Sequence, residues 1–101
     1  MILDTNALSA WADGNNAVSR VLARQEFLAL PVVVLGEYRF GLRSTRYRQI
    51  LESKLAELER VVRILDITRS TAHTYAAIRD ELKRVGKPIP SNDVWIAALV
   101  R

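Results

Sequence analysis

Asp4, Glu37 and Asp93 are the residues of this sequence whose type and placement ask for a chemical explanation. Asp4 heads the triplet Asp4-Thr5-Asn6, directly behind the apolar pair Ile2-Leu3 and directly before an apolar-rich segment that begins at Ala7. An acid at the end of a buried strand stands where α/β folds place their chemistry. Glu37 and Asp93 are predicted at comparable junctions, between an extended or loop segment and a helix, and a parallel fold brings such junctions together. Two carboxylates 4 Å apart repel by roughly 4 kcal/mol at an effective dielectric of 20. A cluster of three with no basic residue beside it therefore keeps a proton or binds a cation. Mg²⁺ or Mn²⁺ suits such a site, being hard ions that take carboxylate oxygens while retaining waters. An ion of this kind activates a bound water and neutralises a phosphodiester, so metal-assisted phosphodiester hydrolysis is the reaction class implied.

Each acid also has a purely structural explanation. Asp4 can end a strand with an Asx-turn, Asp93 can be a first-turn acid favoured by the helix dipole, and Glu37 can be an exposed surface acid. Spacing alone does not choose between these and a shared site.

Composition narrows the field. A chain of 101 residues forms one modest domain, residues 1–101, burying about 65% of its unfolded surface. With 50% hydrophobic and 26% charged residues it has a globular balance, and no apolar run approaches membrane-spanning length. The N-terminus lacks a basic region followed by a long apolar stretch, so Met1 reads as a true start and the expected location is cytoplasmic. The absence of Cys excludes disulfides and thiolate metal sites. A single histidine, His73, leaves almost no material for a His-based zinc site or a Ser/His/Asp triad and is expected on an exposed face. The net charge of +4, with 12 of 15 basic residues being Arg, leans weakly toward polyanionic partners.

The elements that must position these acids follow from periodicity. Met1 to Asp4 is predicted as a short buried strand and Ala7 to Asp13 as a helix stopped by Asp13-Gly14-Asn15-Asn16, a turn cluster that also offers an N-cap. A second helix is expected from about Ala17 to Glu26, with Val18, Val21 and Leu22 on one face. Phe27 to Val34 is almost continuously apolar, the pattern of a strand covered on both faces, although Pro31 removes a ladder donor. The helix carrying Glu37 follows. Next comes an amphipathic helix from about Tyr47 to Arg60, with Tyr47, Ile50, Leu51, Leu55, Leu58 and Val62 forming its apolar stripe. Ile64 to Ile67 is a third strand. Thr68 caps a helix from about Arg69 to Val85, with Gly86 as its stop, and Ser91 opens a last helix bearing Asp93 in its first turn. Strands alternating with helical segments predict an α/β fold around a mostly parallel sheet.

Three segments together resemble the PIN domain, and more narrowly the VapC-type ribonuclease toxins of bacterial toxin–antitoxin pairs. They are Ile2-Leu3-Asp4-Thr5-Asn6, Val34-Leu35-Gly36-Glu37-Tyr38-Arg39-Phe40-Gly41, and Ile89-Pro90-Ser91-Asn92-Asp93-Val94-Trp95-Ile96-Ala97-Ala98. The resemblance implies a three-layer α/β fold with a central parallel sheet. It implies that Asp4, Glu37 and Asp93 are the first three acids of a Mg²⁺-dependent endoribonuclease site, with Thr5 and Asn6 supporting the first. It also implies an RNA substrate, a cognate antitoxin that covers the toxin groove, and a toxin homodimer.

The chain departs from that family in ending early. Members continue with a fourth strand, a further acid, another helix and a final strand, so the expectation here is a C-terminally incomplete domain lacking the fourth acid. A catalytically impaired module that binds antitoxin or RNA is therefore the alternative to an active nuclease. Val94 to Val100 is apolar throughout yet followed only by Arg101, which predicts that further chain or a partner covers it. Arg39, Arg43, Arg46 and Arg48 are candidates for gripping RNA phosphates or acidic antitoxin groups, or else form a solvated face. Trp95, between apolar neighbours, is expected in the core.

Overall fold

The computed structural model describes residues 1–14, 17–24 and 27–101, and of residues 17, 18 and 22 the backbone only. Eight elements are seen among them: α1 (Thr5–Ala12), α2 (Ala17–Ala23), β1 (Ala29–Pro31), α3 (Val32–Leu42), α4 (Arg48–Glu59), β2 (Arg63–Leu65), α5 (Arg69–Arg84) and α6 (Ser91–Val100). β1 and β2 run parallel, with Ala29 opposite Arg63, Leu30 opposite Ile64 and Pro31 opposite Leu65. The N-terminal segment lies parallel to β1 on its other side through a single bridge between Ile2 and Ala29. Three parallel segments joined by pairs of helices make the expected α/β arrangement.

The core gathers on this sheet. Leu3, Leu28, Leu30, Leu8 and Trp11 of α1, Val34, Leu35, Tyr38 and Leu42 of α3, and Leu55 and Leu58 of α4 form one buried cluster, closed by Val62. A second, smaller cluster of Ile78, Val94 and Ala98 joins α5 to α6. Lys54 of α4 reaches the Trp11 and Ala12 carbonyls, 3.5 and 3.3 Å away, and so places a cation at the C-terminal end of α1, where the helix dipole favours it.

The ends of α5 follow the sequence closely. Thr68 and Thr71 form a reciprocal capping box at its start. At its finish Gly86 turns to φ 69°, while the Gly86 and Lys87 N–H groups donate to the Lys83 and Leu82 carbonyls, a Schellman stop that a β-carbon would strain.

The strand expected over Phe27 to Val34 is shorter than its apolar run, because β1 ends at Pro31 and Val32 already begins α3. Pro31, with φ −60° and ψ 134°, is the N-cap of that helix, and its missing N–H costs nothing there. Buried helices and buried strands have the same apolar continuity over a few residues, so periodicity could not separate them. The third strand is Arg63–Leu65 rather than Ile64 to Ile67, and α1 starts at Thr5 rather than Ala7 because Asp4 caps it. The predicted stripe of α4 holds for Leu55 and Leu58 but not for Tyr47 and Ile50, which are 52% and 69% exposed. Tyr47 is the N-cap residue and Ile50 lies on the solvent side of α4. The turn expected at Asn15-Asn16, the helix end at Glu26, and the side chains of Val18 and Leu22 lie outside the described residues.

Val94 to Val100 is not buried all round. Val94 and Ala98 sit in the second cluster, Ile96 packs against the main core, and Val100 is 46% exposed. The whole chain exposes 7012 Å², against roughly 5,800 Å² expected for a closed domain of its mass. Its radius of gyration, 15.1 Å, also exceeds the roughly 13 Å usual for this length.

Truncating Leu30, fully buried in the central strand, is expected to cost about 2–5 kcal/mol, whereas Ile50→Ala should stay within about 0.5 kcal/mol. Urea unfolding of the two variants checks both, and a large loss at Ile50 would restore it to the core stripe.

Candidate functional site

Leu3 is fully buried, and the next residue, Asp4, turns outward at the end of the N-terminal segment. Its backbone is extended (φ −100°, ψ 178°), and Oδ1 accepts a 2.7 Å hydrogen bond from the Ala7 N–H, capping α1. The structural role weighed for Asp4 is therefore real, and it leaves the second carboxylate oxygen outside the cap. Glu37 lies in the second turn of α3 and not at the helix start, because that helix begins five residues earlier than Glu37. It projects from the exposed side of a helix whose other faces bury Val34, Leu35 and Tyr38. Asp93 sits in the first turn of α6, as predicted. Neither Glu37 nor Asp93 makes a side-chain hydrogen bond or ion pair among the described residues.

These three acids, from three distant parts of the chain, line one open cleft of roughly 290 Å³ with Thr5, Asn6, Val34 and Ile96. No Lys, Arg or His shares that lining. Among the described residues, no three carboxylate or imidazole groups are gathered closely enough to enclose an ion on their own. The arrangement is an open, all-oxygen set. It is of the kind that suits a hard divalent cation keeping several of its waters, and not a closed cage. Asp66, just beyond β2 at the same edge of the sheet, does not line the cleft.

Asp93 is placed by the α5–α6 pair. Tyr75 of α5 stacks on Trp95 at 3.9 Å between ring centroids, and its hydroxyl lies 3.1 Å from the Ser91 hydroxyl at the start of α6. Arg79 donates to the same Tyr75 oxygen at 2.7 Å. The Ser91 contact, then the Arg79 bond and charge, hold the Tyr75 pKa below its ordinary value. Trp95 is thus half-buried against a ring at the surface and is not a core residue.

A neighbouring hollow of about 360 Å³ was not foreseen. Thr5 and Glu37 line it as well as the acid cleft, and Ser9, Asp13, Tyr38 and Thr45 add polar groups. Its signal was present in the sequence: Thr5, Ser9 and Asp13 recur at four-residue spacing, one polar stripe of α1 beside an apolar one. Of the four candidate arginines two are paired with acids, and Arg43 has no carboxylate partner among the described residues. Arg39 is paired with Glu59 and Arg48 with Glu52, and Arg46 lies over the Tyr47 ring. His73 is exposed, as expected.

The PIN domain family model matches residues 1–101. The chain belongs to the PIN domain family. This PIN domain is 28% identical over 101 residues to Ribonuclease VapC2 of Rickettsia felis, a match covering 96% of this chain and 75% of that protein. It is 30% identical over 100 residues to Ribonuclease VapC5 of Mycobacterium tuberculosis, covering 97% and 73%. Among solved structures it is similar to VapBC2 from Rickettsia felis bound to a DNA fragment from their promoter, with TM-score 0.80, 25% identity and coverage of 97% and 77%. It also matches FitAcB from Neisseria gonorrhoeae, with TM-score 0.69, 28% identity and coverage of 97% and 78%. The likeness to DNA-bound VapBC from Salmonella typhimurium, TM-score 0.83 at 21% identity over 97% and 76%, shows the shared fold. The homology is thus to VapC ribonucleases, as the three motifs implied.

Burial, and then the charge of Asp13, push the Tyr38 hydroxyl above its ordinary pKa of 10.0. Above pH 10 the unfolded chain gives up this proton while the folded chain keeps it. The folded state then binds more protons, and stability falls as pH rises. Tyr38→Phe should make the alkaline decline of the melting temperature shallower than in the parent, and equal declines would show that Tyr38 is not held protonated by the fold.

Proposed function

We propose that this PIN domain is a divalent-metal-dependent endoribonuclease of the VapC type, the toxin half of a toxin–antitoxin pair. The observation that supports it most is the cleft lined by Asp4, Glu37 and Asp93 with no basic residue in its wall. Mg²⁺, or Mn²⁺ in its place, would be held there by these carboxylates, directly or through water. When bound it supplies an activated water at neutral pH and offsets the charge of the phosphodiester. Asp4 contributes the oxygen its capping bond leaves over, on a helix end fixed by that bond. Glu37 and Asp93 contribute carboxylates with no competing partner, and Thr5 and Asn6 shape the wall behind Asp4. The openness of the cleft admits a single strand from solvent.

The partner follows from surface as well as from similarity. The solved relatives include VapBC complexes, and this chain exposes more surface than a closed domain of its size requires. Phe40, at 79% exposure, Ile50 and Val61 are large apolar side chains that a partner would remove from water. A cognate antitoxin is the occupant proposed, with a toxin homodimer as the second association.

A second reading has its own support. The three acids do not close around an ion by themselves, which suits a module that captures antitoxin or RNA without cleaving it.

Two measurements separate these. Saturating Mg²⁺ or Mn²⁺, at about 100 times its dissociation constant, should stabilise the chain by about 2.7 kcal/mol. Asp4→Asn, which keeps a good N-cap, should abolish that gain and leave the fold intact. In RNA cleavage assays Glu37→Gln and Asp93→Asn should each lose about a hundredfold or more, since even residues that only support metal ligands cost about 10–100-fold. Metal-independent stability together with RNA left intact by the parent chain would establish the binding module instead.

A further inference from the structure

A further hollow, larger than the two that Glu37 lines, has none of the three acids in its lining. Arg79, Leu82 and Lys83 of α5, Pro88 and Ile89 of the following turn, and Val94 of α6 enclose about 450 Å³. The lining contains two cations and no carboxylate. Of the acids next to it in sequence, Asp80 is engaged with Arg84 at 3.0 Å and Glu81 with Arg101 at 3.5 Å, while Asp93 lines the acid cleft. Arg79 is pre-positioned by its bond to the Tyr75 hydroxyl and by the Tyr75 ring, 5.8 Å from the guanidinium carbon. Lys83 has no carboxylate partner among the described residues.

The hollow adjoins the acid cleft through a single helical turn. Asp93 lines the cleft and the next residue, Val94, lines the hollow, so the first turn of α6 is the wall between them. We propose that the hollow between α5 and the start of α6 is a subsite for a single-stranded RNA nucleotide flanking the scissile bond. In it Arg79 and Lys83 hold the phosphate, and Leu82, Pro88 and Ile89 form the apolar wall for the base. The inference rests on the ribonuclease reading for its substrate. Charge complementarity selects the occupant: a cavity with paired cations beside an apolar surface takes an anionic group carrying a flat apolar one. A strand laid across the first turn of α6 would then meet the acids with one phosphate and the two cations with another.

The test is binding of fluorescently labelled oligouridylates of 4 and 12 nucleotides in EDTA, where cleavage is suppressed, followed by anisotropy across a salt series. The parent chain should bind the 12-mer more tightly than the 4-mer. Arg79→Ala with Lys83→Ala should weaken the 12-mer by roughly tenfold or more and flatten the log–log salt slope by about 0.7, the value for one phosphate contact on a single strand. Lys83→Ala alone, an exposed change that spares the Tyr75 contacts, should give an intermediate loss. A control of equal charge change, Arg60→Ala with Arg63→Ala, should leave both affinities as in the parent. Unaltered 12-mer binding by the Arg79/Lys83 variant, or no 12-mer binding by the parent, overturns the subsite. A parent that binds through Arg79 and Lys83 yet never cleaves with Mg²⁺ leaves the subsite standing and refutes the ribonuclease reading. Acid-dependent cleavage with binding indifferent to Arg79 and Lys83 does the reverse.

Discussion

Two backbone hydrogen bonds tie the first three residues to the sheet, and the position of the site depends on them. The Leu3 N–H donates to the Ala29 carbonyl at 2.8 Å, and the Ala29 N–H donates to the Met1 carbonyl at 3.0 Å. Side chains alternate along an extended segment, so this register sends Leu3 into the core and Asp4 to the edge of the sheet. A slip of one residue would reverse them, burying an acid and exposing a leucine. The same pairing sets the start of α1, because Asp4 caps it, and α1 in turn brings Thr5 and Asn6 to the cleft. On the other side of Ala29, β1 runs directly into α3 at Pro31, and Glu37 is carried to the same cleft a turn and a half later.

The remaining acid arrives by a separate route. α5 and α6 form their own small apolar cluster, and Asp93 is positioned by that pair together with the Tyr75 contacts to Trp95 and Ser91. Two cores thus meet at the cleft, one supplying Asp4 and Glu37 and the other Asp93. Ile96 of α6, packed against the main core, is the joint between them.

The parallel α/β plan, the caps of α5 and the order of the three acids were all legible in the sequence, each for a local reason. Thr68, Gly86 and the Asp4-Thr5-Asn6 triplet carry backbone signals that do not depend on distant contacts. What sequence could not resolve was tertiary. The run from Phe27 to Val34 satisfies a buried strand and a buried helix start equally well, and only packing on α1 and α4 decides that the valines are helical. Ile50 fits the stripe of α4 by period yet faces solvent, and period alone does not say how wide a face the neighbouring elements cover. The convergence of Asp4, Glu37 and Asp93 on one cleft was suggested by their expected places at element junctions of a parallel fold and made specific by the resemblance to PIN domains, since each acid alone also has an adequate structural explanation. The hollow beside Arg79 and Lys83 was not legible at all, because its residues come from a helix, a turn and a second helix with no shared period.

The central claim is that the three carboxylates act together on one divalent ion. Diffraction from crystals of the chain grown with Mn²⁺, collected at a wavelength where manganese scatters anomalously, addresses it without reference to activity. The expected result is a single anomalous peak in the cleft, with oxygens of Asp4, Glu37 and Asp93 either near 2.1 Å or one water away, as for hard divalent ions of this size. Well-ordered acids with no peak between them at millimolar Mn²⁺, or a peak bound elsewhere on the chain, would contradict it.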